Sequence, residues 1–121
     1  MPSRERVQEL ISFAQQGKLQ EAQREFYAED ASQQENGSAP RVGLAARLEF
    51  EQDFISQVAE IHQSRVDSFV IDGDRVAINW IFEFTSVNGH RNLINEVAYQ
   101  VWQGDKIQSE RFYYDPTGIQ F

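Results

Sequence analysis

The chain predicts an α+β domain in which three N-terminal helices are wrapped by a curved antiparallel sheet. Two observations carry this. Apolar residues recur at helical spacing through the first half and at period two through the second, where Asp72-Gly73, Asn88-Gly89 and Gly104-Asp105 cut the chain into β-rich runs. Between the two halves, the polar stretch from Phe26 to Gly43 ends one helix, runs extended, and turns at Pro40 and Gly43 before another helix begins.

Val7, Leu10, Ile11 and Ala14 form a helical stripe between the start signals Pro2 and Ser3 and the stop at Gly17, giving a first helix over about residues 3–16. Leu19, Ala22 and Phe26 continue as a second, shorter helix to about Ala28, which packs back on the first. After Gly43 the stripe of Leu44, Leu48, Ile55 and Ala59, flanked by Phe54, Val58 and Ile61, predicts a long third helix with a wide apolar face. The glycine turns then divide a four-stranded meander at about 63–71, 75–87, 90–102 and 107–115. Turns this tight admit only antiparallel neighbours. The strands exceed the usual length of about five or six residues and therefore curl.

The 121 residues suit one domain spanning positions 1–121, without repeats or linkers. The chain has no cysteine, which excludes thiolate metal sites and cysteine nucleophiles. A net charge of −8 argues against nucleic acid and anionic membrane surfaces as partners. Neither a signal-like apolar run at the N-terminus nor a membrane-length apolar segment occurs, so the expected location is cytoplasmic. His62 and His90 are the only histidines and share no metal-ligand spacing, so no metal is expected.

The order helix, helix, extended segment, long helix, meander resembles the nuclear transport factor 2-like superfamily, a cystatin-like cone that includes ketosteroid isomerases and SnoaL-type polyketide cyclases. YAEDASQQENGSAPRVG is similar to the polar-strand pattern of the isomerases, and GDKIQSERFYYDP to the closing strand of SnoaL-like proteins. The resemblance implies a cone-shaped barrel with a pocket open at one end, a homodimer through the outer sheet face, and neither metal nor organic cofactor. It also implies a small organic ligand, apolar or aromatic, handled by acid/base isomerisation or cyclisation; the alternative is a noncatalytic ligand-binding or dimerisation module of the same fold.

Carried over by position, the isomerase base falls on Glu35 and a supporting tyrosine on Tyr27, and Asp115 matches the pocket acid of the cyclases. The neighbourhoods of the isomerase's two oxyanion donors hold Ile11 and Ser12 in one case and Val97 and Ala98 in the other. Glu35, Asp115 and Arg111 are thus the candidate catalytic residues, with Arg111 orienting charge. Tyr27, Asn79, Glu83, Glu96, Trp102 and Tyr113 are the candidate ligand contacts.

Alternation divides the second meander strand into an aromatic row, Trp80, Phe82 and Phe84, and a mixed row, Asn79, Ile81 and Glu83. The isomerase pattern turns the mixed row inward with Glu96, Ala98, Arg111, Tyr113 and Asp115, leaving the aromatic row to a homodimer interface. The other arrangement packs the aromatic row on the helices and gives the mixed row to solvent, with Arg111 in a cross-strand ion pair.

Overall fold

The computed structural model describes residues 1–121. Its elements are α1 (Arg4–Gln15), α2 (Leu19–Phe26), β1 (Tyr27–Glu35), β2 (Arg41–Val42), α3 (Leu44–Ser56), β3 (Val58–Asp72), β4 (Arg75–Ser86), β5 (Arg91–Gln103) and β6 (Lys106–Tyr113). They form the expected α+β cone: three helices inside one curved six-stranded sheet of order β2-β1-β6-β5-β4-β3. The hairpin turns fall at the predicted glycines, and β3 to β6 make the antiparallel meander.

Two elements differ from the sequence reading. The polar stretch is more than a connector, because β1 pairs in parallel with β6 and antiparallel with β2, extending the meander by two strands. The third helix stops at Ser56, and Val58 to His62 belong to β3. Val58 and Ile61 are β-branched, and their strand pairs with Ser86 and Phe84, so tertiary pairing overrides the helical stripe. Three register shifts in β3, between Val58 and Glu60, Ile61 and Gln63, and Val66 and Ser68, each insert an extra residue and bend the strand. Those bulges supply the curl, and the sheet stays open between its edges β2 and β3.

Ser3 caps α1, its side chain accepting from the Arg6 amide at 3.0 Å. Phe13 meets Phe26 edge to face at 5.1 Å, fastening α1 to α2. One end of the cone is solid: Val7, Leu10, Ile11, Ala22 and Phe26 pack on Val76, Ile78, Trp102 and Ile107 from the sheet. At the other end Phe54 of α3 meets Phe84 and Phe121 edge to face and Phe82 at a tilt. Between these two apolar clusters the interior is hollow.

The strand register decides which residues face that hollow. Directly opposed residues share a face, and Trp80 opposes Glu96 while Asn79 opposes Val97. Glu96 and the aromatic row therefore point the same way, inward, which overturns the expectation that the mixed row of β4 faces the pocket. Burying Trp80, Phe82 and Phe84 removes far more apolar area from water than burying Asn79, Ile81 and Glu83 would. On β6 a shift between Trp102 and Val101 places Ile107 on the inner face together with Glu110, so simple alternation through that strand fails.

Arg47 of α3 is wholly buried without a carboxylate partner. Its guanidinium donates to the carbonyls of Ala28 (3.1 Å), Glu29 (3.3 Å) and Ala31 (2.7 Å) and to Gln23 Oε1 (3.1 Å). This one side chain ties α3 to the junction of α2 and β1 and so fixes the entry of β1 into the sheet. Burial lowers its pKa.

Candidate functional site

The hollow is a cavity of about 660 Å³ between the inner sheet face and the helices. Its apolar wall includes Phe54, Trp80, Phe82, Ile94 and Phe112, and its carboxylates and single guanidinium come from five elements: Glu35 on β1, Arg41 on β2, Glu51 and Asp53 on α3, Glu96 on β5 and Glu110 on β6.

Asp53 is exposed, and the other four acids are held in three different ways. Glu35 is neutralised: Arg41 Nη2 lies 3.0 Å from its Oε2, and Tyr114 donates to its Oε1 at 3.2 Å. Arg41 is in turn committed, with Nε donating to Gln33 at 3.2 Å and its guanidinium stacked 3.5 Å above the Phe50 ring. Proximity to Glu35, together with burial as the larger cause, raises the Tyr114 phenol to about 12.

Glu110 is fully buried and fixed. It accepts from the Tyr27 hydroxyl, from Gln33 Nε2 at 2.9 Å and from Gln100 Nε2 at 2.7 Å, and Trp102 Nε1 holds Gln100 in place at 2.9 Å. Burial holds the Glu110 carboxyl above its ordinary value, and its three donors offset only part of that rise. Burial and the adjacent Glu110 push the Tyr27 phenol well above its ordinary value.

Glu51 and Glu96 are the third kind. Burial, and after it the charge of the neighbouring acids, acts on both, with Arg41 as the only opposing influence and no hydrogen bond among the causes. Glu51 rises to about 7 and Glu96 to about 8. Near neutral pH the pair therefore holds a weak acid and a group poised to give or take a proton, against an aromatic wall.

Of the nine residues singled out from sequence, Tyr27, Glu35 and Glu96 line this cavity. The others lie elsewhere. Asn79 is on the outer face, donating to Asn95 at 2.7 Å and to the Glu96 carbonyl at 3.0 Å. Glu83, also outside, is bound by Arg91 (2.8 Å) and Gln63 (2.9 Å), which lower its pKa. Arg111 donates to the Asn36 carbonyl at 2.8 Å and stacks on Tyr113, both on the outer face because Arg111 opposes Tyr99. Asp115 lies beyond the end of β6, exposed, and the Thr117 amide that caps it lowers its pKa. Trp102 belongs to the solid core behind the cavity. Arg111 therefore meets none of Glu83, Glu96 and Asp115 in a pocket: Glu96 lies on the inner face, Glu83 and Arg111 on the outer, and Asp115 beyond the end of β6.

Sequence reasoning missed Glu51, Glu110, Arg41 and Tyr114. Glu51 had a signal: it occupies the i+7 position of the stripe that starts at Leu44, a carboxylate in the apolar face of a helix. Glu96 itself adjoins Val97 and Ala98, the neighbourhood in which the isomerase resemblance looks for a protonated acid.

The profile of the SnoaL-like domain matches residues 1–114. The chain belongs to the SnoaL-like domain family. Among solved structures, a candidate SnoaL-like polyketide cyclase from Mesorhizobium loti aligns with TM-score 0.82 and 25% identity over 94% of this chain and 100% of that one. A hypothetical protein of ketosteroid isomerase-like fold from Catenulispora acidiphila, in complex with trimethylamine, aligns with TM-score 0.78 and 14% identity over 93% and 87% of the two chains. A protein of unknown function with a cystatin-like fold from Xanthomonas campestris gives TM-score 0.79 and 19% identity over 94% and 91%. No protein of curated function matches by sequence. As a SnoaL-like domain the chain is a pocket protein of this fold. No helix in it is long and apolar enough to cross a membrane.

Proposed function

We propose that this SnoaL-like domain binds a small apolar or aromatic molecule and moves a proton on it, as an isomerase or cyclase does. Glu96 acts as the proton donor and Glu51 as the acceptor. The observation that carries this reading is the pair of carboxyls, free of protein hydrogen-bond partners and raised to about 8 and 7, facing one aromatic-walled cavity. Within a buried pair the weaker acid keeps its proton and can stabilise a developing oxyanion, while the stronger can act as a base at neutral pH. Glu35, ion-paired to Arg41, serves to set the field at the site. Turnover of phenolic, polyketide or steroid compounds that falls at least about 100-fold in both Glu96→Gln and Glu51→Gln supports the assignment. Turnover unchanged in both variants refutes it.

A second reading, binding without turnover, is favoured by one feature: both cavity phenols are already engaged, Tyr27 on Glu110 and Tyr114 on Glu35. Saturable binding of such a compound without any chemical change decides for it. We also propose a homodimer through the outer sheet face, which exposes Leu93 (61%), Val97 (38%), Tyr99 (40%) and Tyr113 (46%). Sedimentation of the wild-type chain as a dimer and of Val97→Glu as a monomer is the expected result; a wild-type monomer at micromolar concentration refutes it.

A further inference from the structure

The charge inventory of the cavity is lopsided. Five carboxylates line it, from β1, α3, β5 and β6, and Arg41 on β2 is the sole cation among the lining residues. That cation is spent on Glu35, Gln33 and the Phe50 ring. Glu110 is satisfied by three donors, and Asp53 is exposed on α3. This leaves Glu51 and Glu96 lining the hollow with neither an ion pair nor a hydrogen-bond donor of their own, and with only the already committed Arg41 acting on them from a neighbouring position. The phenols of Tyr27 and Tyr114 direct their protons to Glu110 and Glu35 and offer them nothing.

We propose that the guest of this cavity carries a positively charged amine, seated against the carboxyls of Glu51 and Glu96, with its hydrocarbon or aromatic body on Trp80, Phe82 and Phe112. The inference rests on the pocket reading above and adds the charge of the guest. Two arguments select a cation. An anionic guest would enter a space already dominated by carboxylates, with no free cation to receive it, whereas an ammonium supplies the missing counter-charge at low dielectric. The electron-rich faces of Trp80 and Phe82 add cation–π attraction in a site screened from water.

The amine also has a chemical consequence. Glu51 and Glu96 line one cavity, and carboxyls that share a site resist ionising together; a cation there allows one to ionise while the other keeps its proton. Seating the amine thus favours ionisation of Glu51, the stronger acid of the two, while Glu96 keeps its proton, and it releases a proton to solvent near neutral pH.

The test uses the full chain and three matched probes of similar shape: tryptamine (cation), tryptophol (neutral) and indole-3-propionate (anion), each titrated calorimetrically at pH 7 in two buffers of different ionisation enthalpy. Tryptamine is expected to bind at least about 10-fold tighter than tryptophol, with a buffer-dependent heat that reports proton release, and indole-3-propionate more weakly than either. Glu51→Gln should reduce tryptamine affinity at least about five-fold while leaving tryptophol within two-fold, a pattern that misfolding cannot produce. Equal affinity for tryptamine and tryptophol overturns the cationic guest and leaves the apolar pocket standing. Binding by none of the three, in a chain shown to be folded by its near-ultraviolet dichroism, overturns both.

Discussion

Replacing Glu96 with glutamine isolates the cost of keeping that carboxyl inside the cone. In the folded chain its pKa is raised from 4.5 to about 8 by burial and by Glu35, Glu110 and Glu51, so the fold favours the protonated form. Below about pH 4.5 both folded and unfolded chains hold the proton, and Glu96 behaves like its neutral isostere. Between about pH 4.5 and 8 the unfolded chain has released the proton and the folded chain has not, so stability falls as pH rises, by about 1.4 kcal/mol per unit. Above about pH 8 both are ionised and the loss is complete. The full interval corresponds to about 5 kcal/mol, and water admitted to the cavity lowers this to about 3–5 kcal/mol. Glu96→Gln should therefore match the wild type at pH 4.5 and exceed it by about 3–5 kcal/mol at pH 9. Urea unfolding of both proteins across that range, compared as a difference curve, measures the effect. A difference that stays flat with pH, or that shows the variant losing ground as pH rises, refutes the burial and charge environment assigned to Glu96.

Arg47→Met should destabilise the fold by about 3–5 kcal/mol in urea unfolding, because it leaves the carbonyls of Ala28 and Ala31 and the amide of Gln23 without their donor; a loss below about 1 kcal/mol refutes that role. Gly43, which precedes α3, has φ 94° and ψ 158°, a region essentially closed to residues with a side chain. Space is open around it, with nothing within 4 Å of an added Cβ, so the effect of Gly43→Ala is backbone strain alone, about 1–3 kcal/mol in the same assay. An unchanged midpoint would show that the turn relaxes without cost.

The architecture was legible because each of its signals is local. Gly73, Gly89 and Gly104 mark the hairpins, and the stripes of Val7 to Ala14 and Leu19 to Phe26 mark two helices, whatever the rest of the chain does. The end of α3 was not legible, because Val58 and Ile61 continue a helical stripe and only pairing with Phe84 and Ser86 makes them strand. The site was half legible for a related reason. Tyr27, Glu35 and Glu96 could be placed in the pocket, but which row of β4 faces inward depends on the partner of Trp80 across the sheet. Once Trp80 opposes Glu96, Asn79 and Glu83 must go outside, and the bulge between Ile107 and Ser109 sends Glu110 in and Arg111 out.

The inward acids then divide by what surrounds them, and this division argues for distinct roles. Glu110 has three donors, two of them amides locked by buried neighbours, so its position is over-determined and its proton is of little use to a guest. Removing any one donor would weaken the junction of β1, β5 and β6 that Tyr27, Gln33 and Gln100 define. Glu51 and Glu96 sit on α3 and β5 with no such support, and their placement costs stability that the solid cluster around Phe26, Ile78 and Trp102 must offset. A fold built only for stability would fill those two positions with leucine or methionine, as it does opposite Trp80's neighbours with Ile94. Carboxyls kept at that cost, beside an aromatic wall and with no hydrogen bond or ion pair to the one guanidinium that lines the cavity, are placed where their interaction is with whatever enters it.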